Sequence, residues 1–146
     1  MNVTINLMKE EDIDEILDIS SLSFSICWSK SSYMQELTNP VAKYFVAKVD
    51  NKVVGFAGTW IVLDEAHITN IATHPNYRKQ GIASKILEEL LSYCKSQGCV
   101  AYTLEVRKSN AAAKALYEKY NFKQEGIRKG YYEDNKEDAI LMWLIS

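Results

Sequence analysis

Apolar and polar positions change period several times along the chain, and those changes divide it into elements. Val3 to Leu7 alternates and predicts a short half-buried strand. Glu10 to Leu22 switches to helical spacing, with Ile13, Ile16, Leu17 and Ser20 on one stripe and acids in the first turn. A loop over Phe24 to Ser29 separates it from a second short helix, Ser31 to Leu37, which Asn39-Pro40 ends, because a residue before proline is pushed out of the helical region. Tyr44 to Val49 and Val53 to Leu63 are β-rich runs, and Asp50-Asn51-Lys52 between them predicts a hairpin. Gly55 and Gly58 inside the second run point to a bulge or a close backbone approach. Ala66 to Thr73 reads as a further strand. Ile82 to Gln97 is the clearest helix: Ile82, Ile86, Leu87, Leu90, Leu91 and Cys94 form one stripe, and Gly98 follows as a C-cap. Val100 to Val106 predicts a strand, Asn110 to Tyr120 a helix, and Phe122 to Ile127 and Ala139 to Ile145 two closing strands.

The resulting order, β-α-α-β-β-β-α-β-α-β-β, predicts an α/β (α+β) fold around one mostly antiparallel sheet. No Pro- or Gly-rich linker, repeat or low-complexity tract interrupts it, so residues 1–146 are expected to form a single domain. At 47% apolar and 25% charged residues the composition is that of a soluble globular protein. A net charge of -2 argues against general nucleic-acid binding, which needs a basic face. Met1 to Glu11 lacks a basic region followed by an apolar run, so no signal peptide is expected, and no stretch approaches the roughly 20 apolar residues of a membrane span. Cys27, Cys94 and Cys99 are odd in number and lack metal-ligand spacing, which fits a reducing cytoplasm and no metal. Cys94 falls on an apolar helix face and reads as core, whereas Cys27 sits in a loop. The acidic run Glu10, Glu11, Asp12 and Asp14 reads as a solvated helix start.

The most informative stretch is Asn70 to Ala83. A strand runs into a Pro-containing turn, a basic loop follows, and Gly81 opens an amphipathic helix. Entry through a glycine leaves backbone N–H groups unpaired at the positive end of the helix dipole, where phosphate or pyrophosphate binds. Arg78-Lys79-Gln80-Gly81-Ile82-Ala83 resembles the R/Q-x-x-G-x-G/A signature of the GNAT N-acetyltransferase superfamily. Asn70-Ile71-Ala72-Thr73-His74-Pro75 is similar to its strand-end pattern I-A-V-x-P, with Thr73 in place of Val. Leu104-Glu105-Val106-Arg107, Ser109-Asn110-Ala111-Ala112-Ala113 and Ala115-Leu116-Tyr117 resemble the L-E-V-R…S-N-x-x-A…L-Y run of one branch. Tyr131-Tyr132 with Glu137-Asp138-Ala139-Ile140-Leu141-Met142 is similar to that branch's Y-Y…E-D-A-x-x-M ending, and Trp28-Ser29 also matches it. This is the bacterial RimI-type branch, whose members acetylate the N-terminal alanine of a small-subunit ribosomal protein.

The resemblance implies a GNAT-type fold: about four helices around a central sheet splayed between its two middle strands, here Ala66 to Thr73 and Val100 to Val106. Splaying leaves backbone groups unpaired on the first strand, which the amide-bearing pantetheine arm of acetyl-CoA would pair with like an added strand. Ile71, Ala72 and Thr73 would then be main-chain contacts, with an N–H near Ile71 polarising the thioester carbonyl. Gln80, Gly81, Ile82, Ala83 and Ser84 would hold the pyrophosphate, and Arg78 and Lys79 would add charge. Asn110 would cap its helix and touch the cofactor. Alternation places Glu105 on one strand face with Thr103 and Arg107; the resemblance makes it the base that accepts the amine proton, against the plainer reading of a Glu paired with Arg107. Tyr117 would be the acid that protonates the departing thiolate, against a reading as a core tyrosine. Trp28, Tyr33, Tyr131 and Tyr132 are candidates to line the acceptor groove or to pack between loops and sheet. His67 and His74 match no catalytic position and read as a strand and a loop residue. The expected activity is direct acetyl transfer from acetyl-CoA to a protein N-terminus in the cytoplasm. Its alternatives are a GNAT enzyme acting on lysine or small-molecule amines, and a non-catalytic acyl-CoA-binding module.

Overall fold

The computed structural model describes residues 2–25 and 27–146; Met1, and Ile26 within the predicted Phe24–Ser29 loop, lie outside the described residues. The strands are β1 (Val3–Leu7), β2 (Ala42–Val49), β3 (Lys52–Val62), β4 (Glu65–Thr73), β5 (Ala101–Arg107), β6 (Lys123–Arg128) and β7 (Ala139–Ile145). The helices are α1 (Ile13–Ser23), α2 (Lys30–Thr38), α3 (Ile82–Ser96) and α4 (Ala111–Lys119), with 3-10 turns at Glu10–Asp12 and Pro75–Tyr77. The strands form one seven-stranded sheet in the order β1-β2-β3-β4-β5-β7-β6. All neighbours are antiparallel except β4 and β5, which run parallel.

Period-two alternation sends the side chains of the central strands to two cores. Phe45, Ala47, Val54, Ala57 and Ile68 pack with the α3 stripe of Ile82, Ile86, Leu87, Leu90 and Cys94. Tyr44, Val46, Val53 and Phe56 face the other way, against Ile13, Ile16 and Ile19 of α1 and Tyr33 of α2. The β2–β3 hairpin turns through Asp50 and Asn51, both at positive φ (51° and 65°), the tight turn that matches strand twist. Ser29 caps α2 by accepting the Ser32 N–H at 3.2 Å.

The predicted helix Glu10 to Leu22 is divided: a 3-10 turn precedes α1, and Asp12 lies at the junction. Asp12 is 2% exposed, accepts the Lys9 N–H at 2.9 Å and pairs with Lys48 Nζ at 2.9 Å. It is therefore a buried tie between the first helix and β2, not part of a solvated run.

The feature that creates the site is where β4 leaves β5. The two pair only over Glu65–His67 and Ala101–Thr103, then separate. On its other side β4 carries a bulge: Thr59 faces Ile68 and Gly58 faces Asn70, so Thr69 is the extra residue. Tyr44 holds this bulge, its hydroxyl lying 3.3 Å from Thr69 Oγ1. The tyrosine ring occupies the space over Gly58, where a Cβ would come within 2.4 Å of it. At Gly55 a Cβ would meet Ile86 Cδ1 at 2.9 Å, so this glycine lets α3 approach the sheet. Both readings of the β3 glycines are thus realised, the close approach at each and the bulge beside each.

Candidate active site

The splay opens a cleft formed by two adjoining cavities. One, of about 310 Å³, reaches Glu105; the other, of about 540 Å³, reaches the N-terminus of α3, and Ile71, Asn110, Ala113 and Tyr117 line both. Along β4 from Ile68 to Thr73 the edge toward β5 has no strand partner, so its backbone groups are free to pair with an extended chain.

At the α3 end, Gly81 adopts φ +79° just before the helix, and a Cβ there would meet nothing within 4 Å. The first hydrogen bond of the helix runs from the Lys85 N–H to the Gly81 carbonyl at 3.1 Å. The N–H groups of Ile82, Ala83 and Ser84 therefore have no helix partner, and they sit at the positive end of a 15-residue dipole. Thr73, Arg78, Lys79, Gly81, Ile82, Ala83 and Ser84 line this cavity together with Ala72. Arg78 is partly occupied: its Nε donates to the Thr73 carbonyl at 3.2 Å, which fastens the loop to the end of β4. Gln80 turns its amide onto the Asn76 carbonyl at 3.3 Å and closes the loop, and it is not among the residues that line the cavity. His74 caps the Pro75–Tyr77 turn through Nδ1, which accepts the Asn76 N–H at 3.1 Å. Asn110 accepts the Ala113 N–H at 3.1 Å, capping α4 while lining the cleft. An open pocket, unpaired helix N–H groups and a free strand edge fit a ligand carrying a pyrophosphate and an amide-bearing arm.

At the other end, Glu105 projects from β5 with its side chain 12% exposed. The pairing with Arg107 considered from the sequence does not form. Glu105 Oε2 lies 3.0 Å from His67 Nε2, and Oε1 lies 3.9 Å from Arg128 Nε. The His67 hydrogen bond holds the Glu105 carboxyl below its ordinary value, against the opposing effect of burial and with help from Arg128. His67 is the residue that the sequence reading passed over. The parallel register sets it opposite Thr103, two residues before Glu105, and that register has no signal in the sequence.

Tyr117 is 4% exposed, packs against Phe122, and has its pKa raised by burial, so it keeps its proton at neutral pH. Trp28, Tyr33 and Tyr132 line the Glu105 cavity. Tyr33 is 1% exposed and bonded to Ser20 Oγ at 3.0 Å, so it is core as well as wall. Tyr131 stands outside, half exposed and edge-on to Tyr132. Arg107 lies 4.0 Å from the centroid of the Tyr132 ring and bonds Asp134 at 2.9 Å and Glu137 at 3.3 Å. It also reaches Ser25 Oγ at 3.4 Å, and Ser25 in turn bonds Asp134, so the α1–α2 and β6–β7 connections are tied together beside the cavity. Among the described residues no group of three or more His, Cys, Asp or Glu comes together to hold a metal ion, and no helix is long and apolar enough to cross a membrane.

Comparison with known proteins matches this geometry. Residues 13–122 match the acetyltransferase (GNAT) family. A Bacillus subtilis protein provisionally named a ribosomal protein bS18-alanine N-acetyltransferase is 44% identical over 138 residues, covering 94% of this chain and 91% of that protein. The bS18-alanine N-acetyltransferase of Escherichia coli K12 is 37% identical over 145 residues, covering 97% and 96%. The crystal structure of an Escherichia coli ribosomal-protein-alanine N-acetyltransferase superposes with a TM-score of 0.91 at 36% identity, covering 99% of this chain and 94% of that one. With the splayed β4–β5 pair and the glycine entry to α3 already in place, these matches agree with the sequence motifs, and the chain belongs to the GNAT family of acetyltransferases.

Proposed function

We propose that this protein transfers an acetyl group from acetyl-CoA to the N-terminal alanine of the small-subunit ribosomal protein bS18, directly between two bound substrates. The observation that carries the reading is the position of Glu105: an ionised carboxylate in one cavity of a cleft whose other cavity ends at the open α3 N-terminus. The printed names of the most similar relatives supply the acceptor.

Ile82, Ala83 and Ser84 would hold the pyrophosphate by their N–H groups, with Gly81 leaving room and Lys79 and Arg78 adding positive charge. Gln80 contributes by closing the loop. Ile71, Ala72 and Thr73 would pair the pantetheine arm through their main chain, and Asn110 would contact it from α4. Acetyl-CoA, when bound, supplies the acetyl group as a thioester. The acceptor reacts as its neutral amine, having lost one proton to solvent, because a carboxylate held at lowered pKa is too weak to strip a free ammonium; Glu105 takes the second proton as C–N bond formation acidifies the nitrogen. Tyr117 holds a proton at its hydroxyl for the departing thiolate; a thiol like that of Cys has pKa about 8.5, so the demand on this acid is modest. An α-amine, pKa about 7.7–8.0, needs roughly 3.4 kcal/mol less deprotonation work than a lysine near 10.4. Trp28, Tyr33 and Tyr132 would shape the acceptor cavity, with Tyr131 at its rim. The reaction belongs to the cytoplasm, where the chain's three cysteines stay reduced.

The test is mass spectrometry of a peptide that starts with Ala and carries an internal Lys, incubated with enzyme and acetyl-CoA. Acetyl on the N-terminal Ala is expected; acetyl on Lys alone would overturn the acceptor and keep the chemistry. Bound acetyl-CoA with no product would overturn the protein N-terminus as acceptor and point to a small-molecule amine or to a non-catalytic acyl-CoA-binding role.

A further inference from the structure

Apolar side chains gather outside the cleft, at one end of the sheet. Of the eight large hydrophobic side chains exposed among the described residues, Val62, Leu63, Val100 and Ile145 lie there together. The register sets Val62 opposite Glu65, Glu65 opposite Ala101 and Ala101 opposite Ile145, a row across β3, β4, β5 and β7 with its side chains on one face. Val100 stands at the end of that row: its N–H donates to the Asp64 carbonyl at 2.8 Å, and its carbonyl accepts the Ser146 N–H at 2.9 Å. Leu63 opens the two-residue turn between β3 and β4, a position that favours Gly, Asn or Asp. It holds φ +57° and is 92% exposed, and of the six described non-glycine residues at positive φ it alone is apolar. A bulky side chain is disfavoured in this conformation, and here no packing within the chain compensates for it.

The row lies on the Glu105 face of β5. Two further pairs, Thr103 with Trp143 and Glu105 with Leu141, continue it toward the acceptor cavity. The core that α1 and α2 cover on this face takes residues of β2, β3 and β4 and none of β5 or β7. Asp64 and Glu65 flank the apolar side chains, both exposed, and neither forms an ion pair among the described residues. The register also sets a cation on this face, Lys123 of β6, but on the far side, beyond Trp143.

We propose that this end of the sheet is a docking surface for the folded body of the acceptor protein, apart from the N-terminal residues that enter the cleft. The inference rests on the reading of the protein as a bS18 N-terminal acetyltransferase. A protein that lies on ribosomal RNA carries an excess of Lys and Arg against the phosphates. Two unpaired carboxylates beside an apolar row complement such a basic surface when it also offers an apolar contact. The patch is continuous with the acceptor cavity along β5 and β7. From Glu105 to Ala101 the strand runs about 13 Å, so an acceptor with its N-terminus at Glu105 needs about four extended residues to arrive there. The surface therefore meets parts of the acceptor that a short N-terminal peptide lacks. Leu63 at the tip of the turn is the anchor, and its side chain becomes buried only in the complex.

The experiment compares full-length bS18 with a peptide of its first four residues, with acetylation of each followed as kcat/KM. The wild-type enzyme is expected to favour the full-length protein by at least about 10-fold, carried mainly by KM. Leu63→Asn removes the apolar side chain and suits the left-handed turn, so its unfolding midpoint should stay level or rise. It should lower kcat/KM for full-length bS18 by about 5-fold or more and leave the peptide within about 2-fold of wild type. Glu65→Lys reverses the charge beside the row and should act in the same direction. Equal kcat/KM for the two acceptors with the wild-type enzyme would overturn the surface. So would wild-type values for bS18 in both variants, or an equal loss on both acceptors. A wild-type dimer in sedimentation that Leu63→Asn dissociates would overturn it in favour of a second copy of this chain. If neither acceptor is acetylated, the reading of the activity fails by itself, and calorimetry with full-length bS18 decides the surface. Binding about 5-fold weaker with Leu63→Asn than with wild type would then support it, and equal binding or none would overturn it.

Discussion

Glu105 lies between an imidazole nitrogen and a guanidinium, and both neighbours favour its charged form. Its carboxylate is therefore already ionised at every pH where an acceptor amine begins to lose its proton. As the amine loses its proton kcat/KM should rise through about pH 7.7–8.0, with no break from Glu105 between pH 5 and 9. Titration of the Glu105 carboxyl itself within that interval, followed by NMR of its side chain, would show that it is not held low. Glu105→Gln preserves the shape and the contact with His67 but removes the charge and the basic site. Turnover is expected to fall on the order of 10²- to 10³-fold while acetyl-CoA affinity stays within about 2-fold. Wild-type turnover in that variant would remove Glu105 from the chemistry.

At the scale of elements, the start of α3 does two separable jobs. Gly81 holds a left-handed conformation that begins the helix, and the space beside it is open. A side chain there meets no neighbour, so its folding cost is backbone strain of about 1–2 kcal/mol. Gly81→Asp adds to that a negative charge next to three unpaired N–H groups. Acetyl-CoA affinity should drop by roughly 10-fold or more, measured by calorimetry, while the unfolding midpoint falls only modestly. Unchanged cofactor affinity would move the pyrophosphate away from this loop. The β4 bulge is the other decisive element. Tyr44 spans Gly58 and holds Thr69 at the place where β4 parts from β5, so a residue on β2 sets the geometry of a cleft two strands away.

Across the whole molecule, carboxylates tie together segments that are distant in sequence. Arg107 on β5 gathers Asp134 and Glu137 from the β6–β7 connection and Ser25 from the α1–α2 connection. Hydrogen bonds from Ser25 and Arg107 hold Asp134 below its ordinary value, and bonds from Ser109 and Arg107 do the same for Glu137. Together with Glu105 these are groups whose pKa is lower folded than unfolded. Their contribution is present above the unfolded values of about 3.9 and 4.3 and is lost as pH falls through the folded ones. Urea midpoints should therefore hold steady from pH 7 to 5 and decline below about pH 4.5. Arg107→Met should flatten part of that decline, and an unchanged acid profile in this variant would show that the network does not act through Arg107.

The order of elements, the buried stripe of α3, the hairpin at Asp50-Asn51-Lys52 and the family followed from the sequence, because each rests on local periodicity, turn chemistry or contiguous motifs. Boundaries moved by a residue or two, as they do wherever helix and strand ends fray. Asp12 was misread, and the partner of the strand residue His67 was not foreseen, for one shared reason. A side chain's partner is fixed by strand register and helix docking, and neither leaves a local trace. Register alone set His67 against Glu105 and left Arg107 free to gather the β6–β7 connection. Helix docking alone brought Glu36, eight residues from Tyr44 and 24 from Trp60, onto both at once. The sequence determined which residue types reach the sheet and in what order; tertiary structure decided which of them meet, because burial and charge compensation act between segments that only folding brings together.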